Sequence, residues 1–265
     1  MSGAAPILLV GCGKMGGAMA AGWLAAGRQV VVVEPHAPVP PGVALAVTDA
    51  AALPASLAPS AVVLAVKPQE AARVLPSYAR FAGASVFVSI MAGKTVANMQ
   101  ALLGAAARVV RAMPNTPAAI GRGITVCCAG AGVSEAQRAL ADSLLAAVGQ
   151  VEWVSDESLI DPVTAVSGGG PAYVFLLVEM LAQAAVAEGI PEPLAQRLAR
   201  ATVAGSGALL DASAEVPAAT LRQNVTSPGG TTAEALKVLM EDAGLPALMR
   251  RAIAAATARS RALSA

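Results

Sequence analysis

The sequence predicts an α/β fold in which a doubly wound, mostly parallel sheet is followed by an all-helical domain. Up to residue 155, short and nearly continuous apolar runs alternate with stretches of helical spacing. Such runs are typical of parallel strands that are buried on both faces and joined by crossover helices. After Asp156 only helical stretches follow. We therefore expect two domains, residues 1–155 and residues 156–265.

The strands of the first domain are predicted from short runs that are rich in aliphatic residues, each bounded by a loop or a helical stretch. These runs are residues 7–10, 30–33, 61–66, 85–90, 108–112 and 123–129. The first run leads into a helix predicted over residues 14–26. Because the carboxyl ends of parallel strands meet at one edge of a sheet, the loops that follow these strands should form one ligand crevice.

The second domain is predicted to contain long helices, of which residues 172–188 form the most apolar. Pro171 stands at the start of that helix and Gly189 at its end, positions that these residue types favour. Helices are also expected over residues 193–211 and 246–263. The segment 174–180 is too apolar for a helix with one exposed face, so it is either a central core helix or a helix buried between two subunits.

The composition excludes several classes of function. The chain has 265 residues, of which 56% are hydrophobic, 13% charged and 3% aromatic, and its formal net charge is +1. Without a basic field or many stacking rings, a nucleic-acid partner is not expected. The single histidine, His36, leaves little room for a Ser-His-Asp triad and none for a multi-histidine site, so we expect no metal. The apolar excess indicates an oligomer interface.

The mean hydropathy of +0.64 raises the question of a membrane protein. The longest charge-free runs, residues 50–66 and 162–178, are interrupted by prolines or glycines, so no membrane span is predicted. The N-terminal residues lack the basic region of a signal peptide. The cysteines, Cys12, Cys127 and Cys128, lack Cys-x-x-Cys spacing and fit a reducing compartment, so the expected location is the cytoplasm.

A glycine-rich turn follows the first predicted strand and opens the first helix. Its G-x-G-x-x-G spacing is typical of dinucleotide-binding folds. In that motif Gly11 permits a tight turn, Gly13 admits a diphosphate to the backbone, and Gly16 allows close packing of helix on strand. The diphosphate binds at the helix N-terminus. We assign a Rossmann-like cofactor site to Gly11, Cys12, Gly13, Lys14, Met15 and Gly16.

An acidic residue, Glu34, ends the second predicted strand, where dinucleotide-binding folds place the residue that contacts the adenosine ribose. A carboxylate there accepts a hydrogen bond from the ribose 2′-hydroxyl of NADH and repels the 2′-phosphate of NADPH. Within residues 35–41 only His36 offers a cation. These residues by themselves favour NADH.

Further cofactor contacts are expected from loops that follow strands. Lys67 and Pro68 follow the third predicted strand, and the turn Ala92-Gly93 follows the fourth. The loop after the fifth contains Asn115 between two prolines, and its amide suits a carboxamide or a ribose. The alternatives are an exposed residue that serves solubility for Lys67 and a proline-stiffened turn for Asn115.

A second glycine-rich segment lies in the helical half. Residues 227–232 read Ser-Pro-Gly-Gly-Thr-Thr and precede a helix predicted over residues 233–241. Thr231 and Glu234 match the S/T-x-x-E capping box, so a plain helix cap is one interpretation. The adjacent glycines exceed what a cap needs and expose N–H groups at a helix N-terminus, which suits a carboxylate ligand. Residues 167–173 form another glycine-rich helix entry, which indicates close approach of a backbone or a ligand.

These motifs resemble those of the Δ1-pyrroline-5-carboxylate reductase family, in the same order and over nearly the whole chain. The last motif is the most specific and the glycine-rich turn the least. The matching segments are residues 11–16, 65–68 (Ala-Val-Lys-Pro), 113–117 (Met-Pro-Asn-Thr-Pro), 167–173 and 224–232 (Asn-Val-Thr-Ser-Pro-Gly-Gly-Thr-Thr). The resemblance implies a Rossmann domain followed by a helical dimerisation domain that interlocks with a second subunit, in dimers that often assemble into decamers.

The reaction that the resemblance implies is hydride transfer from NADPH or NADH to the C=N carbon of 1-pyrroline-5-carboxylate, which gives L-proline. It implies that the N–H groups of Gly230, Thr231 and Thr232 hold the substrate carboxylate, with Ser227 as a further contact. The Thr232 hydroxyl would assist protonation of the ring nitrogen. Glu157 matches a family acid near the substrate.

The resemblance also bears on the cofactor. Asn224 matches a family cofactor contact, and Val66 belongs to the matching loop with Lys67. Members of the family use NADPH readily, whereas Glu34 and the nearby Asp49 place acids where the adenosine ribose should bind. The sequence therefore leaves the choice between NADPH and NADH open.

Two other functions remain as alternatives. A β-hydroxyacid dehydrogenase shares this architecture, but its catalytic lysine has no counterpart after Gly170. A non-catalytic NAD(P)H-responsive regulatory protein needs no carboxylate site, so the intact segment 227–232 argues against it. The reductase remains the preferred prediction.

Overall fold

The computed structural model of the chain describes residues 5–264. The described residues form two compact units, one made of the chain up to Gly169 together with the stretch from Ala256 onward, and the other made of Gly170–Ala255. The first unit holds the sheet, and the second consists of helices. The predicted domain boundary between residues 155 and 156 stays a prediction.

One sheet organises the first unit. Its strands are β1 (Ile7–Val10), β2 (Val30–Val33), β3 (Leu45–Val47), β4 (Ala61–Leu64), β5 (Val86–Ser89), β6 (Arg108–Met113), β7 (Gly123–Ala129) and β8 (Gly149–Val154). The strand order is β3-β2-β1-β4-β5-β6-β7-β8. All neighbouring strands are parallel except β6 and β7, which are antiparallel. This order confirms the prediction of a mostly parallel, Rossmann-like sheet.

The sequence pattern misses β3 and β8, the two edge strands of the sheet. All three residues of β3 are half-buried or exposed, and in β8 exposed and half-buried residues largely alternate. An edge strand needs no continuous apolar run because solvent reaches its free edge. The apolar pattern therefore identifies only the strands that are covered on both faces.

Helices cover both faces of the sheet. Those of the first unit are α1 (Lys14–Ala25), α2 (Ala71–Val74), α3 (Val96–Leu103), α4 (Glu135–Leu145) and α5 (Ile160–Val163). On one face the indole N–H of Trp23 in α1 donates to the carbonyl of Leu144 in α4 at 2.7 Å, which ties these two helices together. On the other face Tyr78 and Met99 are buried among strand valines. Both apolar layers give the strand-end loops a rigid base.

The second unit confirms the predicted helical half. Its helices are α6 (Gly170–Ala187), α7 (Glu192–Ala212), α8 (Ala218–Asn224), α9 (Thr231–Leu239) and α10 (Leu245–Ser264), the last of which ends in the first unit. The short helix α8 was not predicted. Helix α8 begins directly after Pro217 and has only seven residues, none of them buried. A helix this short and exposed shows no apolar periodicity in the sequence.

Helix α6 has an open apolar surface in the single chain. Within the described part of the chain none of its residues is buried, and the Phe175 side chain is 62% exposed. The interpretation of α6 as a core helix of one subunit is therefore wrong. By length and composition alone, the continuous stretch Glu157–Ala187 is apolar enough to cross a membrane. An exposed apolar surface of this kind is typical of a site that another protein or a membrane buries.

Candidate functional site

The glycine turn between β1 and α1 has the geometry of a diphosphate site. Gly11 has φ of +90°, and a Cβ placed on it would lie 2.7 Å from the carbonyl oxygen of Ala65, so only glycine fits. No heavy atom of the described residues lies within 4 Å of a Cβ placed on Gly13. Gly13 is the N-cap residue of α1, and no side chain of the described residues caps the helix there. The N–H groups at the start of α1 are therefore open to an anion.

A cleft of about 610 Å³ extends from this turn along the strand ends of β1, β2 and β4. It brings together six of the predicted cofactor residues, namely Gly11, Gly13, Glu34, Asp49, Val66 and Lys67. Gly16 lies beneath the turn, where a Cβ would collide with the Gly11 carbonyl. Met15 packs against the core of the same unit, and Lys14 is exposed.

The Glu34 carboxylate is held by the backbone on both of its oxygens. Oε2 accepts the N–H of Cys12 at 2.6 Å, and Oε1 accepts the N–H groups of His36 at 2.8 Å and Ala37 at 2.9 Å. Burial opposes ionisation, but these three hydrogen bonds, together with the charge of His36, outweigh it and hold the pKa of Glu34 below its ordinary value. The group is thus a fixed anion at the β2 side of the cleft.

Other polar and charged side chains also line the cleft, among them Asp49, Arg73 and Tyr78. Asp49 Oδ1 accepts the N–H of Ala51 at 2.7 Å and so caps a short helical turn. Burial, and then the charge of Asp49, raise the pKa of Tyr78 to about 12, so this phenol stays protonated. Arg73 lies at the same cleft but pairs with Glu70, with Nε 3.0 Å from Oε2.

The turn after β5 lies against the end of α10. A Cβ placed on Gly93 would lie 3.1 Å from the Leu263 Cβ, and the φ of Gly93 is +69°. Gly93 is buried and Ala92 is exposed. The close approach of Leu263 accounts for the glycine, while the cofactor role of the turn stays a prediction. No sequence signal indicates this long-range contact.

Asn115 is fixed at the start of a short helical turn. Its side-chain Oδ1 accepts the N–H of Ile124 at 3.0 Å, which links the loop after β6 to β7. That bond leaves the NH₂ group of Asn115 as a donor for a ligand. The stiff-turn interpretation and a cofactor role are therefore compatible.

Glu157 belongs to a largely buried ionic network that cannot be predicted from the sequence. Its Oε1 lies 3.0 Å from Arg111 Nη1 and accepts the N–H of Val96 at 2.8 Å. Arg111 is only 3% exposed, and its Nη2 is 3.7 Å from Asp161, whose Oδ1 accepts the Ser260 hydroxyl at 2.7 Å. The one sequence feature that points to this network is the position of Arg111, a charged residue within the otherwise apolar run of the predicted strand 108–112.

In the second unit, helix α9 starts at Thr231 with Gly230 as its N-cap, and no side chain of residues 5–264 caps it. The predicted Thr231–Glu234 capping box is therefore wrong, since Glu234 instead pairs with Lys237 at 2.6 Å. The Gly230 N–H donates to the Ser227 carbonyl at 3.0 Å. Open N–H groups for a carboxylate are thus those of Thr231 and Thr232 rather than that of Gly230.

The glycine-rich entry to α6 contains one close approach. A Cβ placed on Gly168 would lie 2.8 Å from Met113 Cε, whereas no heavy atom of the described chain lies within 4 Å of one placed on Gly170. Gly168 therefore serves packing within the first unit. Asn224, the other predicted residue of the second unit, is the exposed last residue of α8.

Together the sheet, the glycine turn and the cleft define a dinucleotide-binding protein of the Rossmann class. A family profile described as pyrroline-5-carboxylate reductase dimerisation matches residues 157–263, and one described as NADP oxidoreductase, coenzyme F420-dependent, matches residues 6–93. The pyrroline-5-carboxylate reductase of Mycobacterium leprae is 38% identical, over 99% of this chain and 98% of that protein. The chain belongs to the pyrroline-5-carboxylate reductase family.

Solved structures agree with this assignment. A pyrroline-5-carboxylate reductase from Coxiella burnetii has a TM-score of 0.89 and 35% identity, with 98% of this chain and 99% of that one covered. The Plasmodium falciparum pyrroline carboxylate reductase, crystallised with NADP bound, has a TM-score of 0.82 and 27% identity, with 98% of each chain covered. The fold predicted from the sequence is therefore the fold of this family.

Proposed function

We propose that this chain reduces 1-pyrroline-5-carboxylate to L-proline with NADH or NADPH, the last step of proline biosynthesis. The proposal is supported by two helix starts in this chain, which matches a relative of the family over nearly its full length. The glycine turn at Gly11–Gly13 is open to a diphosphate, and the start of α9 at Thr231 has no side-chain cap among the described residues. The first suits the cofactor, and the second suits the substrate carboxylate.

The cofactor end uses the first unit. The open N–H groups at the start of α1 bind the diphosphate, and the Glu34 side of the cleft receives the adenosine ribose. The reduced nicotinamide supplies the hydride. The further cofactor contacts in the proposal are Cys12, Lys14, Met15, Gly16, Asp49, Val66, Lys67, Pro68, Ala92, Gly93, Asn115 and Asn224.

The substrate end uses the start of α9. The N–H groups of Thr231 and Thr232 hold the carboxylate, aided by the helix dipole, with Ser227 and Gly230 shaping the turn. The Thr232 hydroxyl oxygen accepts the N–H of the protonated ring nitrogen, which keeps the proton on that nitrogen while the hydride adds to the neighbouring carbon. A protonated imine is already electrophilic, so orientation and fixed dipoles matter more than a strong base.

Glu157 is the acid of the substrate end in this proposal. Its carboxylate is held by the buried Arg111 and by the N–H of Val96, which fixes its position. Ions of this kind are well placed to orient a cationic imine without moving during the reaction.

Two chains form the proposed working unit. The dimerisation match covers α6, and the open apolar side of α6 supplies a surface of the kind that a second copy covers. We further propose that five dimers assemble into a decamer, that the enzyme is cytoplasmic, and that residues 1–155 and 156–265 are its functional domains.

A comparison of substrate classes tests the proposal against its alternatives. Purified protein is incubated with NADH or NADPH and pyrroline-5-carboxylate, and separately with NAD⁺ or NADP⁺ and a set of β-hydroxy acids, while absorbance of the reduced nicotinamide is followed. We expect oxidation with the imine and no reduction with the hydroxy acids. The opposite pattern would identify a β-hydroxyacid dehydrogenase, and binding without turnover of either class would identify a regulatory protein.

A further inference from the structure

We propose that the adenosine end of the cleft selects NADH over NADPH, because the Glu34 carboxylate already occupies the backbone N–H groups that a 2′-phosphate would need. The inference rests on the proposed function only in taking a nicotinamide dinucleotide as the ligand of this cleft. It assigns to Glu34 the role of specificity-determining residue.

The N–H groups that follow β2 are natural donors for an anion on the ribose. Here the groups of His36 and Ala37 both donate to Glu34 Oε1, at 2.8 and 2.9 Å, and Oε2 binds the Cys12 N–H at 2.6 Å. The carboxylate therefore bridges the loop after β2 to the glycine turn after β1. Moving it aside to admit a phosphate would break three hydrogen bonds that a charged acceptor makes strong.

The same arrangement suits an unphosphorylated ribose. A carboxylate oxygen accepts more than one hydrogen bond, so Glu34 retains acceptor capacity for a 2′-hydroxyl while the backbone holds it in place. A hydroxyl can donate to that oxygen, whereas a phosphate oxygen can only repel it. Glu34 thus stabilises one cofactor and opposes the other through a single fixed group.

The other charged groups of the cleft do not cancel this effect. The charge of His36 acts on Glu34 and favours its anion. Arg73 is paired with Glu70 and is 76% exposed, so water screens it. Lys67 follows β4 beside the glycine turn, where the diphosphate carries its own charge. On the acidic side, Asp49 lines the same cleft and adds to the negative field of Glu34.

Binding measurements without substrate test the inference. The dissociation constants of NADH and NADPH are measured by fluorescence titration on the wild-type protein and on Glu34→Ser. We expect wild type to bind NADH at least about tenfold more tightly than NADPH, since like charges in contact are costly. Glu34→Ser removes the anion and frees three N–H groups, so the preference should fall at least about tenfold.

Glu70→Gln is the control, because it removes one negative charge from the same cleft, releases Arg73 from its pair and leaves the Glu34 hydrogen bonds intact. A general effect of the charge of the cleft would therefore appear in this variant. Its effect on the preference should be less than about threefold. The inference is overturned if wild type binds NADPH as tightly as NADH, or if Glu70→Gln shifts the preference as much as Glu34→Ser does. If Glu34→Ser does not fold, the wild-type ratio alone decides. Absence of imine reduction would contradict the proposed function and leave these binding constants unaffected.

Discussion

The Thr232 hydroxyl stands in the first turn of α9, where no side chain of the described residues takes the helix N–H groups. A group in that position can hold a substrate and its proton together. The turn can be predicted from its Gly-Gly-Thr-Thr sequence. Which backbone N–H groups are open to a ligand cannot, because the same segment also matches a capping box that would occupy them. Only the structure shows that Glu234 pairs with Lys237 and that the Gly230 N–H is used within the turn.

Replacing Thr232 separates its hydroxyl from its N–H group. Thr232→Ala should lower kcat about 10- to 100-fold, since the hydrogen bond that keeps the imine nitrogen protonated is lost, while NADH binding stays the same. Thr232→Ser should recover most of the rate because it restores the hydroxyl. Steady-state kinetics with the imine and a separate NADH titration give both values. A normal kcat in Thr232→Ala would remove the hydroxyl from the mechanism.

Gly11 allows a second prediction at the residue scale. Gly11→Ala should destabilise the protein by at least ~2 kcal/mol and abolish dinucleotide binding, because its Cβ would meet the Ala65 carbonyl at 2.7 Å. Gly27→Ala is the control, since Gly27 also has positive φ but open space around its Cβ within the described chain. It should cost only about 1 kcal/mol and leave binding intact. Urea unfolding and NADH titration measure both effects, and equal losses in the two variants would refute the steric account.

At the scale of elements, the network around Arg111 joins β6, α3, α5 and the last turns of α10. Arg111 contacts Glu157 and Asp161, and Asp161 accepts the Ser260 hydroxyl. Apolar periodicity predicts β6 as a strand but says nothing of these partners, because ion pairs between distant segments leave no local pattern. The same limit explains why the edge strands β3 and β8 were missed while the covered strands were found.

Removing the guanidinium should leave two acids uncompensated in this network. Arg111→Met is expected to lower the free energy of unfolding by ~3 kcal/mol, as for other broken buried ion pairs. Arg73→Met removes an exposed pair with Glu70 and should cost less than ~1 kcal/mol. Chemical unfolding monitored by circular dichroism compares the two. A loss in Arg111→Met no larger than that in Arg73→Met would show that the buried pairs contribute little.

At the scale of the whole molecule, α6 presents apolar side chains that a single chain leaves exposed. Its apolar residues predict a buried helix from sequence, but one chain leaves Phe175 62% exposed. The sequence thus allows two explanations, a core helix or a helix between subunits, and choosing between them required the structure. The dimerisation match over residues 157–263 then points to a second copy as the cover.

A charge on α6 should therefore break the assembly. Phe175→Asp is expected to shift the protein to smaller species in size-exclusion chromatography with light scattering, because an aspartate would be buried without a partner. Ile120→Asp, at an exposed apolar residue of the first unit, should leave the mass unchanged. An unaltered mass in Phe175→Asp would place the interface elsewhere.

The central claim, that this chain makes proline from a cyclic imine, is tested most directly by following both sides of the reaction. Purified protein is mixed with a limiting amount of NADH or NADPH and excess pyrroline-5-carboxylate, and the proline formed is quantified against the reduced nicotinamide consumed. We predict one L-proline for each reduced nicotinamide oxidised, with at least one of the two cofactors. Oxidation without proline, or no oxidation with either cofactor, would contradict the account.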